Sequence, residues 1–224
     1  MRDIPGLKFS IILSLLLLAG CLPSLQAIKK ALEEPEAREA VVGAQVKPEL
    51  PPRFTLHSVP HNPRRQRGTD CGPDSLRMVL NYYGKNVHEG DITKKIRRRG
   101  RHGGVSLSEL ARIAKEYYGL EADVMMGGKL EVLKALLLNG WPPIVAYRAR
   151  GDIGHAVVVV GYNDLRGYIL VHDPNFLRVT KIPYRDFLPA WRQFGGWMLV
   201  VVPKGITLPD VLNAVDKYVE FRRR

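Results

Sequence analysis

The chain has 224 residues, 46% hydrophobic and 25% charged, a globular composition with enough apolar residues for a sizeable core. Two cysteines are too few for a disulfide framework, and the net charge of +12 comes without a nucleic-acid motif or aromatics interleaved with the arginines. No nucleic-acid partner is expected, and the runs Arg64-Arg65-Gln66-Arg67, Arg97-Arg98-Arg99-Gly100-Arg101 and Arg222-Arg223-Arg224 read as a solvated face.

At the start, Arg2 and Lys8 stand before an apolar run from Phe9 to Ala19, interrupted only by serines. That run has the length of a signal peptide and is short for a membrane-spanning helix. Leu18-Ala19-Gly20-Cys21 resembles the lipobox of bacterial lipoproteins, in which the cysteine is diacylated and becomes the mature N-terminus. The resemblance implies a signal peptide over 1–20, a lipid anchor at Cys21 and an extracytoplasmic, envelope location. Leu22 follows where aspartate commonly marks inner-membrane retention, so an envelope with two membranes would place the protein in the outer one. An uncleaved anchor helix and an ordinary cleaved signal are the alternatives.

Residues 21–53 read as a tether: a charged, helix-like piece from Ile28 to Ala40, then Pro48, Pro51 and Pro52 with little periodicity. The pattern of a folded domain runs from 54 to 204, and 205–224 reads as a basic terminal helix in which Leu212, Val215 and Val219 share one side. Phe54–Val59 is a short strand candidate. In Asp70-Cys71-Gly72-Pro73, Pro73 suits the first helical position, Leu76, Val79, Leu80 and Tyr83 recur as one buried stripe, and Gly84 supplies the stop. Asp91–Arg99 predicts a short basic helix. Ser106 caps a helix through Tyr118, with Glu109 three residues on. Glu121–Met126 predicts a strand and Lys129–Asn139 a helix closed by Gly140. Strands are then predicted over Pro143–Arg148, His155–Tyr162, Tyr168–His172 and Trp197–Val202. Helices first and strands later predict an α+β fold, with helices packed on an antiparallel sheet.

Cys71 stands at a helix start, where unpaired N–H groups and the helix dipole stabilise a thiolate, the nucleophilic form. The alternative is a small buried apolar residue. A cysteine nucleophile needs a base, and of six histidines His155 opens the most apolar strand. That strand turns through Asn163–Gly167 and returns to Asp173. A hairpin centred near Leu165 pairs Val157 with Asp173, placing His155 and Asp173 on one face as diagonal neighbours roughly 7–8 Å apart at the backbone. His172 then points to the opposite face, and a slip of one residue exchanges the two roles. The histidines lack metal-ligand spacing, and neither metal nor cofactor is expected.

Gln66, Asp70-Cys71-Gly72-Pro73, the Leu80–Gly84 helix end, Gly103–Leu107, His155–Tyr162 and Asp173-Pro174 together resemble the C39-like branch of papain-type cysteine peptidases, over about residues 54–203. The resemblance implies a papain-like fold. It makes Cys71 the nucleophile, His155 the general base and acid, Asp173 its orienter, and Gln66 an oxyanion donor worth about 2.7–4 kcal/mol beside the Cys71 N–H. No transporter segment accompanies these motifs, so trimming of export leaders is not implied, and Arg64-Arg65 is inserted just before Gln66. The expected function is hydrolysis of peptide amides in peptide or protein substrates, through a thioester. Acyl transfer or amidase chemistry on the same residues, and a non-catalytic binding module, are the alternatives.

Overall fold

A computed structural model describes residues 47–63, 70–100, 102–150 and 153–219. The predicted signal peptide, Cys21, the helix-like piece 28–40 and Gln66 lie outside the described residues. Seven strands are present among those described: β1 Arg53–Thr55, β2 Glu121–Met125, β3 Ile144–Arg150, β4 Ile153–Asn163, β5 Tyr168–His172, β6 Thr180–Pro183 and β7 Met198–Val202. All pair antiparallel, in the order β2-β7-β3-β4-β5-β6, with β1 against the far half of β4. The helices are α1 Cys71–Tyr82, α2 Leu107–Tyr118, α3 Leu130–Leu138, α4 Tyr184–Gln193 and α5 Leu208–Asp216. No described helix is long and apolar enough to cross a membrane.

β4 explains why its sequence is an unbroken valine run. Ala156, Val158 and Val160 pack with Leu76, Val79 and Leu80 of α1 and Leu110 and Ile113 of α2. Val157 and Val159 point the other way, into Leu133 and Leu136 of α3, Phe187 and Trp191 of α4 and Val215 of α5. A strand covered on both faces has no polar side to alternate with. Each fully buried side chain of this size contributes about 1.5–3 kcal/mol of transfer free energy.

The predicted hairpin register is correct where it matters and incomplete nearer the turn. Asn163 pairs with Tyr168, one residue out of step with a turn centred on Leu165. A bulge between Val159 and Gly161 restores the step, so that Val158 pairs with His172. Gly161 is required at the bulge: a Cβ there would lie 2.6 Å from the Phe54 carbonyl oxygen of the adjoining β1.

Three elements differ from expectation. Asp91–Arg99 forms only a 3-10 turn, Thr93–Lys95, before Ile96 becomes extended. Its charges are spent on tertiary partners instead: the Arg97 N–H donates to Glu109 at 2.6 Å, and the Arg97 guanidinium reaches Glu116 at 3.0 Å. This arginine run is therefore partly a bound surface. β6 and α4 were not foreseen, because Pro183 and Pro189 interrupt a short aromatic stretch that shows little period. In α4 Phe187 and Trp191, four residues apart, stack at 5.2 Å and are fully buried. α2 begins as expected, the Ser106 hydroxyl accepting from the Glu109 N–H.

Candidate active site

α1 begins at Cys71, two residues before the start that Pro73 predicts, because the Asp74 N–H already donates to the Asp70 carbonyl at 2.9 Å. Pro73 still falls in the first turn, where its missing N–H costs nothing. The helix is buried almost all round from Gly72 to Leu80, polar residues included. Those polar residues lock it in place. Ser75 Oγ donates to the Ala156 carbonyl at 3.1 Å, and Arg77, paired with Asp74 at 3.4 Å, donates to the Asn62 carbonyl at 2.8 Å. The Ser75 bond fastens α1, one turn past Cys71, to the residue that follows His155.

His155 lies opposite Tyr147 of β3 and diagonal to Asp173, the residue that follows the return strand. Its Nε2 is 2.9 Å from Asp173 Oδ2, and the two side chains are only 11% and 3% exposed. Asp173 Oδ1 accepts the Asn175 N–H at 2.8 Å, so both carboxylate oxygens are held. The half-buried Cys71 thiol is within hydrogen-bonding reach of the same imidazole. With Nε2 taken by Asp173, Nδ1 is the nitrogen left for the sulfur. Burial pulls the His155 pKa down, but the hydrogen bonds and charges of Asp173 and Cys71 outweigh it and carry the pKa up to about 9. Gly154 leaves room beside this histidine: a Cβ would sit 2.4 Å from the Phe194 ring.

His172 is kept out, as the period-2 argument requires. It is buried, stacks on His61 with centroids 4.4 Å apart, and is pushed down to about 4 by burial and by His61. Two residues near the site were not anticipated. His61 Nε2 lies 3.3 Å from the Asp173 carbonyl oxygen, a contact no sequence period announces. Tyr147 meets the His155 ring edge-on at 5.7 Å, and its hydroxyl is raised to about 12 by burial and then by the charges of Asp173 and Cys71. Tyr147 was only partly legible: Gly151-Asp152 between two β-rich runs reads as a turn that by count sets residue 148 opposite 155, and a bulge between Arg148 and Arg150 moves the partner to Tyr147.

The structure thus brings Cys71, His155 and Asp173 together, while Gln66 and Cys21 lie outside the described residues. Among the described residues no group of three or more His, Cys, Asp or Glu side chains is placed to hold a metal ion. A thiol, an imidazole and a buried carboxylate in this order form a proton relay suited to nucleophilic acyl transfer.

The sequence model of the Peptidase_C39 like family matches residues 55–198. A solved structure described as a C39-like peptidase from Bacillus anthracis superposes with a TM-score of 0.59 at 21% identity, covering 68% of this chain and 98% of that one. The peptidase domain of Streptococcus ComA, a bifunctional ABC transporter involved in a quorum-sensing pathway, superposes with a TM-score of 0.51 at 20% identity, over 64% of this chain and 97% of that one. At these identities the likeness is one of fold, helices packed on an antiparallel sheet. No curated protein matches the chain.

Proposed function

The chain belongs to the Peptidase_C39 like family, and from that premise we propose that it is a cysteine peptidase, lipid-anchored through Cys21 and facing away from the cytoplasm. The observation that carries the catalytic reading is the His155–Asp173 hydrogen bond of 2.9 Å with the Cys71 thiol on the same imidazole. Cys71 gives its proton to His155, and the thiolate attacks the scissile carbonyl carbon. The oxyanion accepts from the Cys71 N–H and from Gln66. The tetrahedral adduct collapses, the C–N bond breaks, and His155 hands its proton to the departing amine. Water then enters, His155 takes one of its protons, and the hydroxide adds to the thioester. Collapse releases the acid and returns the proton to sulfur, so nothing but water is consumed. Asp173 holds the imidazole and stabilises its charged form throughout.

The test is an intact-mass measurement after exposure to envelope peptides. A peptide-derived thioester mapped to Cys71, discharged by hydroxylamine and absent from Cys71→Ala, is expected. Accumulation of amine-capture products over hydrolysis would reassign the site to acyl transfer. A Cys71 alkylated by iodoacetamide no faster than a free thiol would remove the enzymatic reading.

Two expected results follow from this reading. Because the His155 pKa is raised to about 9, its imidazolium is fully present below the ordinary value of 6.5 and is lost as pH rises through about 9. kcat/KM should therefore hold through neutrality and decline on an alkaline limb near pH 9, and a limb at 6.5 in the pH–rate profile would contradict it. For the anchor, the mature chain should begin at Cys21 and partition into detergent, and Cys21→Ser should stay in the aqueous phase. Two acyl chains hold a protein stably where one does not. An N-terminus still at Met1 in the wild type would refute the anchor.

A further inference from the structure

An aspartate before the first helical residue ordinarily folds its carboxylate over the first turn and accepts an N–H there, worth about 1 kcal/mol. Asp70 stands in that position and makes no capping bond from its side chain; its backbone, at φ −94° and ψ 26°, is outside the extended region such caps use. Its carboxylate is turned the other way. Oδ1 accepts from Arg99 at 2.8 Å and Oδ2 from the Thr93 hydroxyl at 3.3 Å. The same Arg99 nitrogen donates to the Gly103 carbonyl at 2.7 Å. Loop and α2 crowd the start of α1: a Cβ at Gly72 would lie 3.1 Å from Leu110 and 3.6 Å from the Val105 carbonyl.

We infer that Arg99 is a positioning residue of this site, one that draws the Asp70 carboxylate away from the start of α1 and neutralises it, so that Cys71 carries a thiolate without a second carboxylate, beside the Arg77-paired Asp74, over the same helix end. The inference rests on the proposed role of Cys71 as nucleophile. A carboxylate folded over the first turn would occupy the positive field that favours the thiolate and would disfavour it by direct repulsion. The other titratable and charged groups on the elements packed about α1 and the site are His155 from β4, Asp173 just after β5, Tyr147 from β3, the Asp74–Arg77 pair on α1 itself and, farther along α2, Glu109, which Arg112 holds at 2.7 Å. The Arg99 and Asp70 side chains are each 34% exposed, so solvent screens part of the effect.

The experiment is the pH dependence of iodoacetamide alkylation at Cys71 in the full-length Cys21→Ser protein, in which Cys71 is the one remaining thiol. Arg99→Gln should move the alkylation midpoint up by about 0.5–1 pH unit, the size expected of one partly screened charge nearby. Arg99→Lys keeps the charge and should move it less. Asp70→Asn should leave the midpoint at or below that of the parent, and Asp70→Asn/Arg99→Gln should match Asp70→Asn. The arginines at 64, 65 and 67 are common to every variant and cancel. A merely structural tie between loop and helix would shift the double variant as far as Arg99→Gln alone, and that result would overturn the inference, as would an unmoved midpoint in Arg99→Gln. Alkylation needs no substrate, so failure to cleave any peptide would count against the peptidase reading and leave this inference standing.

Discussion

Cys71→Ala is expected to abolish turnover and to leave the thermal midpoint close to that of the wild type. On the proposed mechanism the sulfur is the atom that forms the acyl bond. Without it His155 and Asp173 have a proton relay and nothing to deliver, and hydrolysis should fall to the background of the assay. Stability follows a different account. The core under α1 is built from Leu76, Met78, Val79 and Leu80, all fully buried, whereas Cys71 is half-buried at the end of the helix. Removing one thiol there should cost about 0.5 kcal/mol, about 1–2 °C in a domain of this size. Turnover on one substrate and melting followed by circular dichroism decide it together. Activity within tenfold of wild type would remove Cys71 from the chemistry, and a large fall in the midpoint would make it a core residue, the alternative that the sequence leaves open.

The fold and the site were legible to different depths, for physical reasons. Long stretches of clear composition announced themselves: the β-branched run of β4 reads as a strand, without showing that both its faces are covered, and Ser106 with Glu109 marks the start of α2. The hairpin carried His155 to Asp173 because a residue count along two strands is a distance measurement. The count succeeded through a compensation. The turn is offset by one and the bulge at Val159–Gly161 takes it back, and no local signal distinguishes a bulge glycine from any other before Phe54 is seen lying against it. Residues 91–99 failed for a related reason. Their helical tendency competes with Glu109, Glu116 and Asp70, which come from other parts of the chain. Contacts such as His61 to the Asp173 carbonyl are of the same kind, fixed by tertiary geometry and silent in the local sequence.

Asp173→Asn should keep the fold and lower kcat by about 10–1000-fold. The site shows why a nearly isosteric change is costly. Both carboxylate oxygens accept, Oδ2 from His155 and Oδ1 from the Asn175 N–H. An asparagine brings one acceptor and one donor to those two donors. If its oxygen stays on Asn175, its amide faces Nε2 and drives the imidazole proton to Nδ1, the nitrogen that must accept from sulfur. If its oxygen turns to His155, the main-chain turn loses its acceptor inside a group that is 3% exposed. Either way the full negative charge that raises the His155 pKa is gone, so the alkaline limb of kcat/KM should move below pH 9 as well. In serine triads the equivalent change costs about four orders of magnitude; a thiolate–imidazolium pair is partly ionised beforehand and leans less on the third member, hence the smaller range. The neighbouring His172 provides the control. It sits on the other face against His61, so His172→Ala should cost about 1–3 kcal/mol of stability and little activity. A kcat/KM comparison of the two variants on one substrate, with folding checked by circular dichroism, separates them. An inactive His172→Ala beside an active Asp173→Asn would mean that the chemistry uses the opposite face of β5, and the whole assignment from the hairpin would have to be rebuilt there.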